Sequence, residues 1–166
     1  MTPPSDERGH ADLHLHTQFS DGTDTPERVA ELAKQAGLSI IAITDHDNIE
    51  ALPIAAPAAK RLGIELLPGI EMSASAEGEE VHLLAFLIDV KNPVLQQHLA
   101  EQQARRVERV REMVKRLQGA GVTIDAEEVF AVAGQGTVGR PHVARVLLKH
   151  GYITTLSEAF QRYIGH

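Results

Sequence analysis

Cysteine and tryptophan are both missing from this chain of 166 residues, and only 4% of it is aromatic. Without cysteine there is no disulfide framework, no thiolate zinc site and no cysteine nucleophile. Scarce aromatics leave few platforms for stacking bases, which weighs against a sequence-independent nucleic-acid groove. Long hydrophobic runs are lacking too: no stretch of about 18 apolar residues is present, so no helix is expected to span a membrane. The opening residues, MTPPSDERGH, have neither the basic region nor the apolar stretch of a secretion signal. A cytoplasmic protein without membrane association is the expectation.

Charge is plentiful but uneven. The net charge is −7, with 16 acidic and 5 basic residues over 1–90, against 7 acidic and 11 basic over 91–166. An acidic half suits cations and a basic half suits anions. The plain alternative is a pair of solvated faces. Nine histidines stand in the chain, several of them in short motifs.

The pattern along the chain reads as α/β. Residues 1–9 look like a disordered leader. A strand over Ala11–Leu15 ends near His16. Thr25-Pro26 opens a helix, Thr25 as its N-cap, with Val29, Leu32, Ala33 and Ala36 as the expected buried face. Leu38–Ile43 is a continuous apolar run typical of a buried parallel strand. A second helix, delayed by Pro53 and Pro57, closes at Gly63, and Ile64–Leu67 is a third short strand. These connections are too long for hairpins, so right-handed crossovers and a parallel sheet follow. An antiparallel hairpin is then expected, turning at Glu77-Gly78-Glu79. Beyond Pro93 the chain reads as helical: Pro93–Leu117, a short helix capped by Asp125, one opened by Pro141, and a last one behind the capping box Thr155–Glu158. The domain reading is a leader over 1–9, the front of an α/β barrel or sheet over 10–92, and a helical arm over 93–166. A parallel sheet with an open edge is a liability, so the remainder of the barrel is expected to be absent from this chain.

Chemistry concentrates at strand ends. Side chains alternate on a strand, so Asp12, His14 and His16 share a face. Two imidazoles about 7 Å apart at Cα converge on one cation readily, although a lone His-x-His is also an ordinary surface pair. Thr44-Asp45-His46-Asp47 follows the apolar second strand, at the carboxyl end where α/β folds place ligands. A polar turn capping the next helix accounts for Asp47 but not for His46. Glu71 sits among apolar neighbours, where an unpaired carboxylate is costly. The hairpin turn is expected to place His82 opposite Ser75, back near the same rim. Strand logic thus gathers His14, His16, Asp21, His46, Glu71 and His82. Imidazoles and carboxylates suit divalent zinc, manganese or iron, and six ligands imply more than one ion, with Glu71 placed to bridge. Clustered metals activate water and clamp phosphoester oxygens, so no protein nucleophile is needed. In the basic half, Gly139-Arg140-Pro141-His142 stands at a helix start, which favours phosphate. Arg105, Arg106, Arg109, Arg111, Lys115 and Arg116, interleaved with glutamates, read as a solvated helix face.

Taken in order, DLHLHTQFSDG, ITDHD, GIE, VHLLAF and GRPHVA resemble the PHP (polymerase and histidinol phosphatase) family over about residues 10–166. The likeness is to the subgroup of 3′,5′-nucleoside bisphosphate phosphatases and 5′→3′ exonucleases. It implies a distorted (β/α)7 barrel with an inserted helical arm, a manganese-, zinc- or iron-type centre of two to three divalent ions, and a nucleotide or short RNA or DNA substrate. No protein partner is implied. Carried over, His14, His16 and Glu71 hold a first metal, Glu71 and His82 a second, Asp21 and His46 a third. Arg140 grips substrate phosphate with His142 near it, and Asp12 and Asp45 orient imidazoles. The family's further ligands, a His and an Asp-x-His pair, lie downstream of Gly165-His166, so the chain is expected to be an N-terminal portion with metal sites short of a ligand. Two alternatives compete: a small-metabolite phosphatase of the histidinol-phosphate type, and a non-catalytic metal-binding module.

Overall fold

A computed structural model of the chain describes residues 9–165. The expected leader lies outside the described residues apart from Gly9, as does His166. Two compact units are present. One takes the chain up to Thr17 and resumes over Gly22–Val90; the other takes Gln18–Asp21 and Lys91–His166. The excursion of residues 18–21 into the second unit leaves no signal in hydrophobic periodicity.

The first unit is α/β. It consists of β1 (His10–Leu15), α1 (Pro26–Gln35), β2 (Leu38–Ile43), α2 (Leu52–Leu62), β3 (Glu65–Ala76) and β4 (Glu79–Phe86). The sheet order is β1-β2-β3-β4. β1, β2 and β3 run parallel, and β4 returns antiparallel to β3. Thr25 caps α1 through its hydroxyl, which accepts from the Arg28 N–H. The buried face of α1 is Pro26, Val29, Ala30 and Ala33, one turn earlier than expected, and Leu32 stays exposed. Positions 26, 29, 30 and 33 make an unbroken helical stripe. Its alanines meet Ala58 and Ala59 of α2 over Ile41 of β2, so small side chains let both helices lie close to the sheet. Pro57 lies inside α2, and Gly63 ends it with a left-handed φ of 69°.

The third strand differs most from expectation. Instead of stopping near Leu67 it runs unbroken to Ala76, pairing with β2 up to Pro68 and with β4 from Gly69 onward. Each half of β3 thus has a partner strand, which satisfies its backbone without a break. The hairpin loop has two residues, Glu77 and Gly78, both with positive φ (53° and 89°). That is the primed turn whose twist matches paired strands.

The second unit is helical: α3 (Pro93–Gly119), α4 (Ala126–Ala133), α5 (Arg140–Lys149) and α6 (Leu156–Arg162). Its core is a set of aliphatic residues, including Val110, Val114, Leu117, Val129, Val143 and Leu147. Asn92 caps α3 by accepting from the N–H groups of Val94 and Leu95. Arg106 departs from the solvated face expected of it: it is buried, on the same stripe as Val110 and Val114. At α6 the Thr155 hydroxyl accepts from the Glu158 N–H, but the Glu158 carboxylate reaches back to the N–H of Thr154 rather than Thr155. Among the described residues no helix is long and apolar enough to cross a membrane.

Candidate metal centre

Three parallel strands deliver their carboxyl ends to one rim of the first unit. His14 lies in β1, with His16 just beyond it. The Asp12 carboxylate accepts from the His14 N–H at 3.2 Å. Asp45, only 1% exposed, accepts from the Thr17 N–H at 2.7 Å and from its hydroxyl at 2.6 Å. Both carboxylates therefore hold main chain beside the metal-type histidines. The Thr44 N–H donates to the Leu15 carbonyl at 2.8 Å, extending the β1–β2 ladder up to the site.

His46 follows β2 and forms a parallel bridge with Glu71 of β3. The flanking residues complete it: the Glu71 N–H donates to the Asp45 carbonyl and the Asp47 N–H to the Glu71 carbonyl. Asp47 takes φ of 47° and is fully buried. Its two carboxylate oxygens accept from the Ser73 N–H at 2.9 Å and the Ser73 hydroxyl at 2.8 Å. Asp47 therefore ties β3 to the loop after β2; it does not cap α2, whose N-cap is Ala51. Gly69 opens the stretch of β3 that pairs with β4. A Cβ there would stand 2.9 Å from the Thr44 methyl carbon and 3.1 Å from the Ile43 carbonyl oxygen, so only glycine fits without displacement.

His82 pairs across the hairpin with Ser73, not Ser75. Glu79 already pairs with Ala76, and the partner of His82 lies two residues earlier than expected. An even slip keeps every side chain on its original face. His82 consequently lies diagonal to Glu71, and a diagonal neighbour is within reach of a long side chain.

The result is a carboxylate ringed by imidazoles. Glu71 Oε2 is 2.9 Å from His14 Nε2, 3.1 Å from His16 Nε2 and 3.6 Å from His46 Nδ1, and Glu71 Oε1 is 2.7 Å from His82 Nδ1. Neighbouring ring centroids are 5.0 Å (His14 and His16), 4.8 Å (His16 and His46) and 4.8 Å (His46 and His82) apart. Burial pushes the Glu71 carboxyl up. The His14 hydrogen bond, the nearby His46 charge, the His82 hydrogen bond and the His16 charge together outweigh it, so the carboxyl titrates below its usual range.

These residues fit divalent cations. Two sets, His14–His16–Glu71 and His46–Glu71–His82, have donor atoms all within 4.8 Å of one another. Ligands at about 2.0–2.2 Å from one ion stand roughly 3–3.5 Å apart, and the contacts here, 2.7–3.6 Å, bracket that range. The donors are imidazole nitrogen and carboxylate oxygen, the set favoured by zinc, manganese and iron. Glu71 belongs to both sets.

The remaining sequence-predicted residues lie in the second unit. Asp21 ends the 18–21 segment, and its carbonyl accepts from Arg145 Nη2 at 2.6 Å. Arg140 opens α5 and is half-buried. His142 is 1% exposed, and its Nδ1 accepts from the Gly139 N–H at 3.1 Å. Its ring thus caps its own helix, which the sequence reading did not foresee. Burial and the Arg145 charge lower its affinity for a proton. Asp47 and Arg145 were also missed as functional supports. For Asp47 the available signal was a second acid in a short turn directly after a buried strand.

A family model described as PHP domain matches residues 12–164. The chain belongs to the PHP domain family. A 5′-3′ exoribonuclease Rnm of Salmonella typhimurium is 37% identical over 156 residues, 93% of this chain and 53% of that protein. A 3′,5′-nucleoside bisphosphate phosphatase of Chromobacterium violaceum is 34% identical over 154 residues, 92% of this chain and 54% of that protein. Among solved structures, a candidate metal-dependent phosphoesterase of Bifidobacterium adolescentis superposes with a TM-score of 0.87 at 38% identity. It covers 93% of this chain and 55% of that one. This PHP chain therefore spans about half the length of the curated relatives it matches.

Proposed function

We propose that this PHP chain carries the cation-binding part of a phosphoesterase acting on phosphate esters of nucleotides, either 3′,5′-bisphosphorylated nucleosides or short oligonucleotides taken from the 5′ end. The observation that carries the reading is Glu71, buried and met by four imidazoles from β1, the β2 loop and β4. Relatives named as an exoribonuclease and a bisphosphate phosphatase support the substrate class. Two to three divalent ions, manganese, zinc or iron, would occupy such a centre, supplying charge neutralisation and an activated water. His14, His16 and His82 hold their rings around Glu71, and His46 and Asp21 extend the ligand set. Arg140 binds a second phosphate of the substrate through its forked N–H groups, and His142 shapes the turn that presents it. A cytoplasmic location belongs to the same proposal.

The test compares two variants on two substrates with Mn²⁺ supplied. Arg140→Ala should lower kcat/KM for a 3′,5′-bisphosphorylated nucleoside by about 10- to 150-fold, the equivalent of a charged hydrogen bond of roughly 1.5–3 kcal/mol. It should leave a simple aryl phosphate nearly unaffected. His46→Ala should damage both substrates alike. Equal damage by Arg140→Ala would make Arg140 a structural residue and remove the main support for the nucleotide reading beyond the relatives' names. Tight metal binding without hydrolysis of either substrate would favour the non-catalytic module.

A further inference from the structure

The segment that carries Asp21 is gripped at each of its four residues by the helical unit. The Phe19 carbonyl accepts from the Thr137 N–H at 2.8 Å. The Asp21 carbonyl accepts from Arg145 Nη2 at 2.6 Å. The His142 ring hydrogen-bonds to the Ser20 backbone; because its Nδ1 accepts from the Gly139 N–H, the proton is on Nε2. Gly136 passes so near that a Cβ would lie 2.5 Å from the Gln18 carbonyl oxygen and 2.9 Å from the Phe19 carbonyl carbon. Phe19 and Ser20 are buried. All of these contacts are to main-chain atoms of residues 18–21, and together they set where residue 21 stands.

We infer that Gly136, Thr137, His142 and Arg145 form a clamp whose task is to position Asp21 for cation binding, Arg145 being the principal positioning residue. This rests on the reading of Asp21 as a cation ligand given above. A carboxylate on a loop binds an ion tightly only if the loop is already ordered, since otherwise binding must supply the ordering entropy. Arg145 acts on the Asp21 carbonyl, at the residue that bears the ligand, through a planar donor held by α5. The clamp also explains why a helical unit claims four residues from the loop after β1.

Mn²⁺ binding to the full chain, followed by loss of the free-ion electron paramagnetic resonance signal and by calorimetry, tests this without an activity assay. Asp21→Ala should remove one class of bound ion. Arg145→Met should weaken that same class by about 10- to 100-fold, the cost typical of losing a partner that orients a ligand, and leave the other class unchanged. Arg145→Lys, which keeps one donor, should recover most of the affinity. Gly136→Ala leaves every hydrogen-bonding side chain in place and should reproduce the Arg145→Met result, and it decides the matter if Arg145→Met does not fold. Wild-type binding in both clamp variants, with a class lost in Asp21→Ala, overturns the clamp and leaves the ligand reading standing. Uniform weakening of all classes by both clamp variants also overturns it, because a general structural role would act that way. Wild-type binding by Asp21→Ala overturns the ligand reading, and the clamp with it.

Discussion

Glu71 is only 5% exposed, and its carboxyl stays ionised below its usual range because His14, His46, His82 and His16 surround it. Replacing it by glutamine keeps the volume and removes the charge. Glu71→Gln should weaken Mn²⁺ binding by more than the roughly 10- to 100-fold that loss of an orienting partner costs, measured by calorimetry with circular dichroism as the check on folding. His142 supplies a second prediction at this scale. Burial first, then the Arg145 charge, depresses its folded-state titration. Below the unfolded value of about 6.5 the unfolded chain takes up a proton that the folded chain refuses, so stability falls with pH in that window. His142→Asn, which retains an acceptor in the side chain without a titrating ring, should flatten the decline in urea midpoint between about pH 7 and pH 5. An unchanged slope would mean that other groups set it.

At the scale of elements, β3 is the organising piece. Its first half pairs with β2 and its second with β4, so Glu71 stands where the parallel ladder passes into the hairpin. Asp47 fastens that point from the β2 side through two hydrogen bonds to Ser73. Asp47→Ala should cost roughly 3 kcal/mol in urea unfolding, two hydrogen bonds to a charged acceptor at about 1.5 kcal/mol each. It should also loosen metal binding, since the loop bearing His46 loses its anchor. Asp47→Asn keeps one acceptor and tolerates the left-handed backbone, so it should lose less. If both variants match wild type, the Asp47–Ser73 pair carries no weight.

For the molecule as a whole, cation binding and folding are linked. A cluster of four imidazoles and a carboxylate exists only when β1, β2, β3 and β4 are assembled, so Mn²⁺ should bind the folded chain in preference to the unfolded one. At a free concentration 100 times Kd the gain is about 2.7 kcal/mol, equivalent to a Tm rise of about 5–10 °C for a chain of this size. EDTA should reverse it in a calorimetric scan. β4 also leaves apolar surface exposed: Leu83 at 58%, and Leu87 just after the strand at 73%. An outermost strand with exposed leucines favours association. Leu83→Lys combined with Leu87→Lys should reduce concentration-dependent light scattering.

Much of this protein is local in origin and was legible in the residues. The apolar run Leu38–Ile43, the Thr25 cap and the alternation that puts His14 and His16 on one face depend only on neighbours in sequence, so hydrophobic period and capping chemistry identify them. The convergence of His14, His16, His46, Glu71 and His82 was also accessible, because strand polarity and side-chain alternation constrain which ends meet. Other features depend on partners that sequence spacing does not show. That β3 continues past Pro68 is decided by β4 becoming available as a new neighbour. The buried face of α1 is decided by which stripe meets Ala58 and Ala59. The burial of Arg106, the Asp47–Ser73 pair and the capture of residues 18–21 by Gly136, Thr137, His142 and Arg145 all join groups far apart in the chain. The sequence by itself determined the chemical inventory and the local elements; tertiary structure decided which backbone groups those elements would satisfy, because a buried donor or acceptor must find its partner wherever the fold provides one.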